Sequence, residues 1–190
     1  MAARRNVAGS KRERLTQAAV DLAHRQGFRK TTLAEIASES GVPLGNVYYY
    51  FKTRDDVGEA ILSCREDQAA QQQLQFDQLP EPRARLAAFI DSTVANAAMV
   101  SQYGCPMGSL SAEMMKEGGH LAELSRSLFA TPLAWMEAQF RAMGCKDDAG
   151  DLALQLLASL QGAMLLTHSF HEPSILQREG ARLIGWLEAI

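Results

Sequence analysis

Apolar positions recur every three to four residues along nearly the whole chain, and no stretch alternates in the manner of a half-buried strand. Leu15, Ala18, Ala19, Leu22 and Ala23 fall at i, i+3, i+4, i+7 and i+8, one face of a helix. Ser10 with Glu13 reads as a capping box ahead of that helix, and Gly27 suits a left-handed residue behind it. Thr32 with Glu35 repeats the box and opens a short helix with Leu33, Ile36 and Ala37 inward, ended by Gly41. Pro43 fits the first turn of a third helix, in which Val47 and Phe51, four apart, face the core. Thr53, followed by Asp55 and Asp56, caps a fourth helix that buries Val57, Ala60, Ile61 and Cys64 and continues through the glutamine-rich run 68–75.

Leu79-Pro80-Glu81-Pro82 is the clearest punctuation in the chain. Beyond it, Leu86, Phe89, Ile90, Thr93, Val94 and Ala97 mark a helix that Gly104-Cys105-Pro106-Met107-Gly108 interrupts. A short helix to about Lys116 follows, then a break at Gly118-Gly119. Leu121 to Met143 reads as one long helix with Phe129, Leu133, Met136, Phe140 and Met143 on one side and a kink at Pro132. Leu152–Phe170 and Ile175–Ile190, parted by Glu172-Pro173, complete the set. The expectation is an all-α protein of about nine helices. It comprises a mobile basic arm at 1–9, a three-helix domain at 10–54 and a larger helical domain at 55–190.

Charge divides along the same line. Residues 1–54 hold ten Lys and Arg against four Asp and Glu, whereas residues 55–190 hold nine against eighteen. A basic head on an acidic body points the head, and not the body, at a polyanion. Three cysteines, Cys64, Cys105 and Cys145, form neither a disulfide framework nor a metal-ligand spacing, which implies a reducing cytoplasm and no metal or other cofactor. The basic N-terminus lacks an apolar run, so no signal peptide is expected. Leu152–Phe170 carries no charged residue over roughly the length of a membrane span, but Gln155, Ser159, Gln161, Thr167 and His168 suit a buried helix of a soluble oligomer better. No membrane association is expected.

Residues 31–54 hold the chemistry: two short helices joined by a glycine turn, the second dense in aromatic and polar groups and followed by cations. This is the layout of a helix-turn-helix whose second helix lies in the DNA major groove. With Val47 and Phe51 inward, Leu44, Gly45, Asn46, Tyr48 and Tyr49 remain for the groove. Asn46 can pair with adenine N6 and N7, Leu44 can pack on a thymine methyl, and Gly45 lets the backbone come close. Tyr48, Tyr49, Thr32, Lys52 and Arg54 suit phosphate oxygens. Arg4, Arg5, Lys11, Arg12 and Arg14 could follow phosphates or enter a minor groove.

Ala18-Ala19, Gly27-Phe28, Thr31-Thr32, Ile36-Ala37 and Gly41-Val42-Pro43-x-Gly45-x-Val47-Tyr48-x-Tyr50-Phe51 resemble the N-terminal domain of the TetR/AcrR transcriptional regulators. The resemblance covers residues 10–62. Pro43 stands where that family commonly has Ser or Thr, so a hydroxyl cap or phosphate contact is missing there. The resemblance implies a homodimer on palindromic double-stranded DNA, a repressor when empty, with a C-terminal domain that binds a small effector and dimerises. For the interface the expected residues are Leu156, Ala158, Leu160, Gly162, Leu176, Leu183, Ile184 and Leu187, in a four-helix bundle built by the last two helices of each copy. For the effector site they are Met99, Tyr103, Cys105, Met107, Met114, Trp135, Met136, Phe140 and Gln161, an adaptable apolar set with few polar anchors.

The segment Tyr103–Glu113 is similar to one found in a subset of TetR-like regulators, some of which sense electrophiles or oxidants through cysteine. Cys105 stands close to a helix N-terminus, where a thiol can become reactive; a small apolar residue at a helix junction is the plainer reading. An enzyme with Cys105 as nucleophile and His120, His168 or His171 as base would leave the DNA-reading head unexplained, so no enzymatic activity is expected. An architectural DNA binder without a ligand, or an activator of the same fold, remain the alternatives.

Overall fold

The computed structural model describes residues 9–190, so Arg4 and Arg5 of the expected arm lie outside the described residues. Among the described residues there are eleven α-helices and no β-strand. In chain order they are α1 (Lys11–Gln26), α2 (Leu33–Ser40), α3 (Leu44–Tyr50), α4 (Arg54–Phe76), α5 (Pro82–Ala95), α6 (Ala97–Tyr103), α7 (Pro106–Glu117), α8 (Gly119–Ser125), α9 (Ser127–Ala142), α10 (Ala149–Phe170) and α11 (Pro173–Ala189). Only Asn96 separates α5 from α6, and only Arg126 separates α8 from α9, so the expected nine rods are present with two of them broken. The Asn96 amide donates to the Ser92 carbonyl at 2.7 Å, an asparagine competing with the backbone ladder. The expected long helix is interrupted at Arg126, and α9 runs on through Pro132. Pro132 has no N–H to donate to the Leu128 carbonyl.

All three capping boxes form, Ser10 with Glu13, Thr32 with Glu35 and Thr53 with Asp56. Lys11, Arg12 and Arg14 lie in the first turn of α1. Gly27 has a positive φ of 92° but a ψ of 149°, beyond the left-handed helical region expected for it. Gly41 does adopt that region (φ 66°, ψ 23°). Pro43 is the N-cap of α3, one position before the expected first turn, and supplies no side-chain cap.

Two hydrophobic cores meet along α4. The first gathers Leu15, Ala18, Ala19 and Leu22 of α1, Phe28, Ile36 of α2, Val47, Phe51, and Val57, Ile61 and Leu62 of α4. Leu110 and Met114 of α7, Leu121 of α8 and Leu128 of α9 join it from the body. The second is built on α10, with Ala153, Leu156, Leu157, Leu160 and Met164 against Leu86, Ile90, Met136, Phe140, Leu176, Leu183 and Leu187. At 23 residues α4 is about 35 Å long, and its far end stacks Phe76 against Phe89 and Trp135. Helix α10 is long and apolar enough to cross a membrane by length and composition alone, but its eight buried residues pack inside this fold.

Candidate DNA interface and effector cavity

The DNA-reading element is built by geometry that the sequence dictates locally. Gly41 turns the chain between α2 and α3, and the Val42 N–H donates back to the Ala37 carbonyl at 3.2 Å. Val47 and Phe51 are sealed in the first core, which fixes the rotation of α3. Leu44, Gly45, Tyr48 and Tyr49 are therefore turned out and Asn46 is half-exposed, with Tyr49 79% accessible and Tyr48 55%. Tyr50 packs on the core instead, and the Tyr49 and Tyr50 rings meet edge to face at 5.1 Å. A Cβ at Gly45 would meet nothing within 4 Å, so no packing inside the protein requires a glycine there.

Of the five residues expected on phosphates, Tyr48 and Tyr49 are exposed, and Lys52, Thr32 and Arg54 differ among themselves in availability. Lys52 is exposed. The Thr32 hydroxyl donates to Glu35 Oε2 at 2.8 Å and accepts from the Glu35 N–H, so it is spent on the cap of α2. Arg54 is held by the body: its guanidinium lies 4.6 Å from the centre of the Phe28 ring and 3.4 Å from Glu117 Oε1. Arg29, which sequence reasoning missed, pairs with the same carboxylate at 3.5 Å, and its N–H donates to Glu113 Oε2 at 2.9 Å. The C-terminal half of α7 thus grips the head.

The N-terminal end of α7 borders a cavity of about 140 Å³, enclosed by α4, α5, α6, α7, α9 and α10. Of the nine residues expected at an effector site, Met99, Cys105, Met107 and Gln161 line it. Five other expected residues do not. Met114 is sealed in the first core and Met136 and Phe140 in the second. Trp135 donates from its indole nitrogen to Asp77 Oδ1 at 3.0 Å, and Tyr103 packs edge-on against His24. The lining missed from sequence is Gln72, Phe89, Ser92, Thr93, Asn96, Val100, Pro106, Phe129, Pro132, Leu157, Leu160 and Met164. Leu157, Leu160 and Met164 share the helical spacing of Gln161 and were legible on that ground.

Cys105 is the N-cap of α7, its sulfur accepting the Gly108 N–H at 3.3 Å. The histidines considered as its base are engaged elsewhere: His120 pairs with Glu59, while His168 and His171 both donate through Nδ1 to the Ser101 carbonyl. Among the described residues no group of three or more His, Cys, Asp or Glu is placed to hold a metal.

Five of the eight expected interface residues, Leu156, Leu160, Leu176, Leu183 and Leu187, are buried inside the single chain. A stripe that is hydrophobic all round contains the core face as well, and periodicity alone picked that face. Ala158 and Gly162 do lie outside, in a groove with Leu166, Ile175 and Arg178, and Ile184 is half-buried. The exposed apolar side of α10 is Leu154, Leu165 and Leu166.

Residues 15–61 match the family of bacterial regulatory proteins designated tetR. The HTH-type transcriptional regulator LmrA of Bacillus subtilis (strain 168) is 26% identical over 163 residues, covering 84% of this chain and 87% of that one. The protein is a DNA-binding transcriptional regulator whose residues 15–61 match the tetR family domain. The fold agrees along its length. A TetR transcriptional regulator from Legionella pneumophila superposes with a TM-score of 0.84 at 17% identity, covering 95% of this chain and 98% of the other. The reduced form of E. coli NemR gives 0.73 at 22% identity, with 91% and 95% covered. In this regulator the head and the helix that borders the cavity are joined by Glu113 and Glu117.

Proposed function

We propose that this regulator is a cytoplasmic homodimeric repressor that leaves its operator when a small hydrophobic or electrophilic compound enters the cavity. The observation that carries this reading is the double attachment of α7. Its first residues, Pro106 and Met107, form the cavity wall, and Glu113 and Glu117 near its last turn hold Arg29 and Arg54 of the head. A cavity of about 140 Å³ matches the volume at which an apolar void accepts a benzene-sized guest. A larger guest has to push a wall aside, and α7 is the wall that ends on the head.

The two-fold partner is assigned to the outer side of α10, where Leu154, Ala158, Gly162, Leu165 and Leu166 offer an apolar strip with small residues for close approach. Two copies then present two α3 helices to successive major grooves. A compound that alkylates the Cys105 thiol would act on the same wall, since that thiol caps α7.

Fluorescence anisotropy of a bound operator fragment tests the reading. An unreactive aromatic guest should release both the native protein and Cys105→Ser, whereas N-ethylmaleimide should release the native protein alone. Operator binding that ignores every cavity guest would remove the sensor role and leave an architectural binder.

A further inference from the structure

We propose that the cavity selects an uncharged guest, a small aromatic compound bearing a carboxamide-type group, and that the Gln161 side chain of α10 reads that group. This deepens the effector reading of the cavity and rests on it. The cavity lining holds no Asp, Glu, Lys, Arg or His. A carboxylate or ammonium drawn inside would lose its hydration with no opposite charge in the wall to replace it. A neutral guest meets no such cost, and most of the wall is aliphatic, aromatic or sulfur-bearing.

The polar side chains of the wall are engaged within the protein, with one exception. The Gln72 amide donates to Ser92 Oγ at 3.1 Å, and the Asn96 amide donates to the Ser92 carbonyl. The Ser92 and Thr93 hydroxyls both donate to the Phe89 carbonyl, at 3.1 and 2.9 Å, and the Cys105 sulfur accepts from Gly108. Gln161 is half-buried in the cavity wall, yet among the described residues its side chain makes no hydrogen bond. Leu157, Gln161 and Met164 follow one another at i, i+4 and i+7 on α10, so the amide stands in the middle of the stripe that faces the cavity. It also reaches α7: a Cβ on Gly108 would lie 3.0 Å from Gln161 Oε1 and 3.6 Å from Cys105 Sγ. The absence of a side chain at Gly108 leaves the room that the amide occupies. A carboxamide carries both an acceptor and donors, and a guest with adjacent carbonyl and N–H groups satisfies both ends at once. Its ring would sit against Phe89, Met99, Val100 and Leu157. Because Gln161 abuts the first turn of α7, a guest that engages it bears on the helix that holds Arg29 and Arg54.

Benzamide, benzoate and toluene share a ring and differ in the group it carries, and thermal denaturation of the full chain with each reports binding as a rise in midpoint. The native protein should bind benzamide at least about tenfold more tightly than benzoate. Gln161→Leu should weaken benzamide about tenfold, through the loss of two hydrogen bonds, and leave toluene binding unchanged. Gln161→Met, with an unbranched chain of similar length, should do the same. Benzoate bound as tightly as benzamide overturns the selection for an uncharged guest while leaving the cavity as an effector site. Unaltered benzamide binding by the two variants overturns the role of Gln161. Variants that lose toluene and benzamide alike overturn it too, since Gln161 would then serve the shape of the cavity. Failure of all three compounds to bind the native protein removes the cavity reading itself.

Discussion

Asn46 sits on the outer side of α3 because Val47, its neighbour in sequence, is completely sealed. That single packing decision determines which side chains α3 turns outward. A bidentate Asn–adenine pair is worth about 1–3 kcal/mol of discrimination. Asn46→Ala should therefore lose that much affinity for the operator and relax the preference at one base pair, measured by competition binding with single-base variants. Glu117 works in the opposite sense, since it pairs with two head cations, Arg29 and Arg54. Glu117→Gln should tighten DNA binding and steepen its salt dependence by about one unit of log–log slope per cation released, read from titrations at several salt concentrations. An unchanged slope would mean that Arg29 and Arg54 never reach the backbone. The stability cost should be under about 1 kcal/mol, because both pairs are partly exposed.

At the scale of elements, the cap and turn residues marked the boundaries well. Ser10, Thr32 and Thr53 each opened a helix where their spacing to an acidic residue required it, because a capping box is a local structure that needs no tertiary partner. The core faces of α1, α2 and α3 were likewise visible in the period of apolar residues. The break at Asn96 was not, since Asn sits in many helices and only its bond to the Ser92 carbonyl reveals the fault. Helix α10 shows the limit of periodicity: with apolar residues on all sides, no pattern separates the face that packs on α6, α9 and α11 from the face left free. The cavity was half legible for a related reason, since methionines and aromatics mark both cores and pockets, and only the assembled helices distinguish them. Close approach adds a further constraint. A Cβ on Gly180 of α11 would come within 3.0 Å of the Val94 side chain on α5. Val94 is β-branched and cannot swing aside, so Gly180→Ala should cost about 1–3 kcal/mol, checked by urea denaturation.

For the whole molecule the charge split along the chain was the earliest sign of division of labour, and the structure adds how the halves are held together. His24 of α1 contributes one link, donating from Nε2 to the Gly104 carbonyl at 3.0 Å, next to the turn that starts α7. Burial lowers its pKa below the ordinary 6.5; Arg65 and His168 add to the lowering, while the Gly104 carbonyl and Asp21 oppose it. A lowered histidine favours the folded state in its neutral form. Its contribution is complete above pH 6.5 and is lost as the pH falls from there through the folded value. Stability should thus decline as the pH falls below about 6.5. In His24→Gln, whose amide can still donate to Gly104, the decline should be shallower, as urea midpoints across that range would show. Equal slopes would place the pH sensitivity in other groups.

The most direct test of the account is selection of bound duplexes from a random DNA pool by the purified full-length protein. Two copies of α3, carried by a dimer built on α10, predict an enriched inverted repeat whose half-site centres lie about one helical turn apart or a multiple of it, with Asn46→Ala losing the preference at one symmetric pair of positions. Enrichment of no sequence, or of an unrepeated single site, would contradict the assignment of α3 as the reading helix of a two-fold regulator.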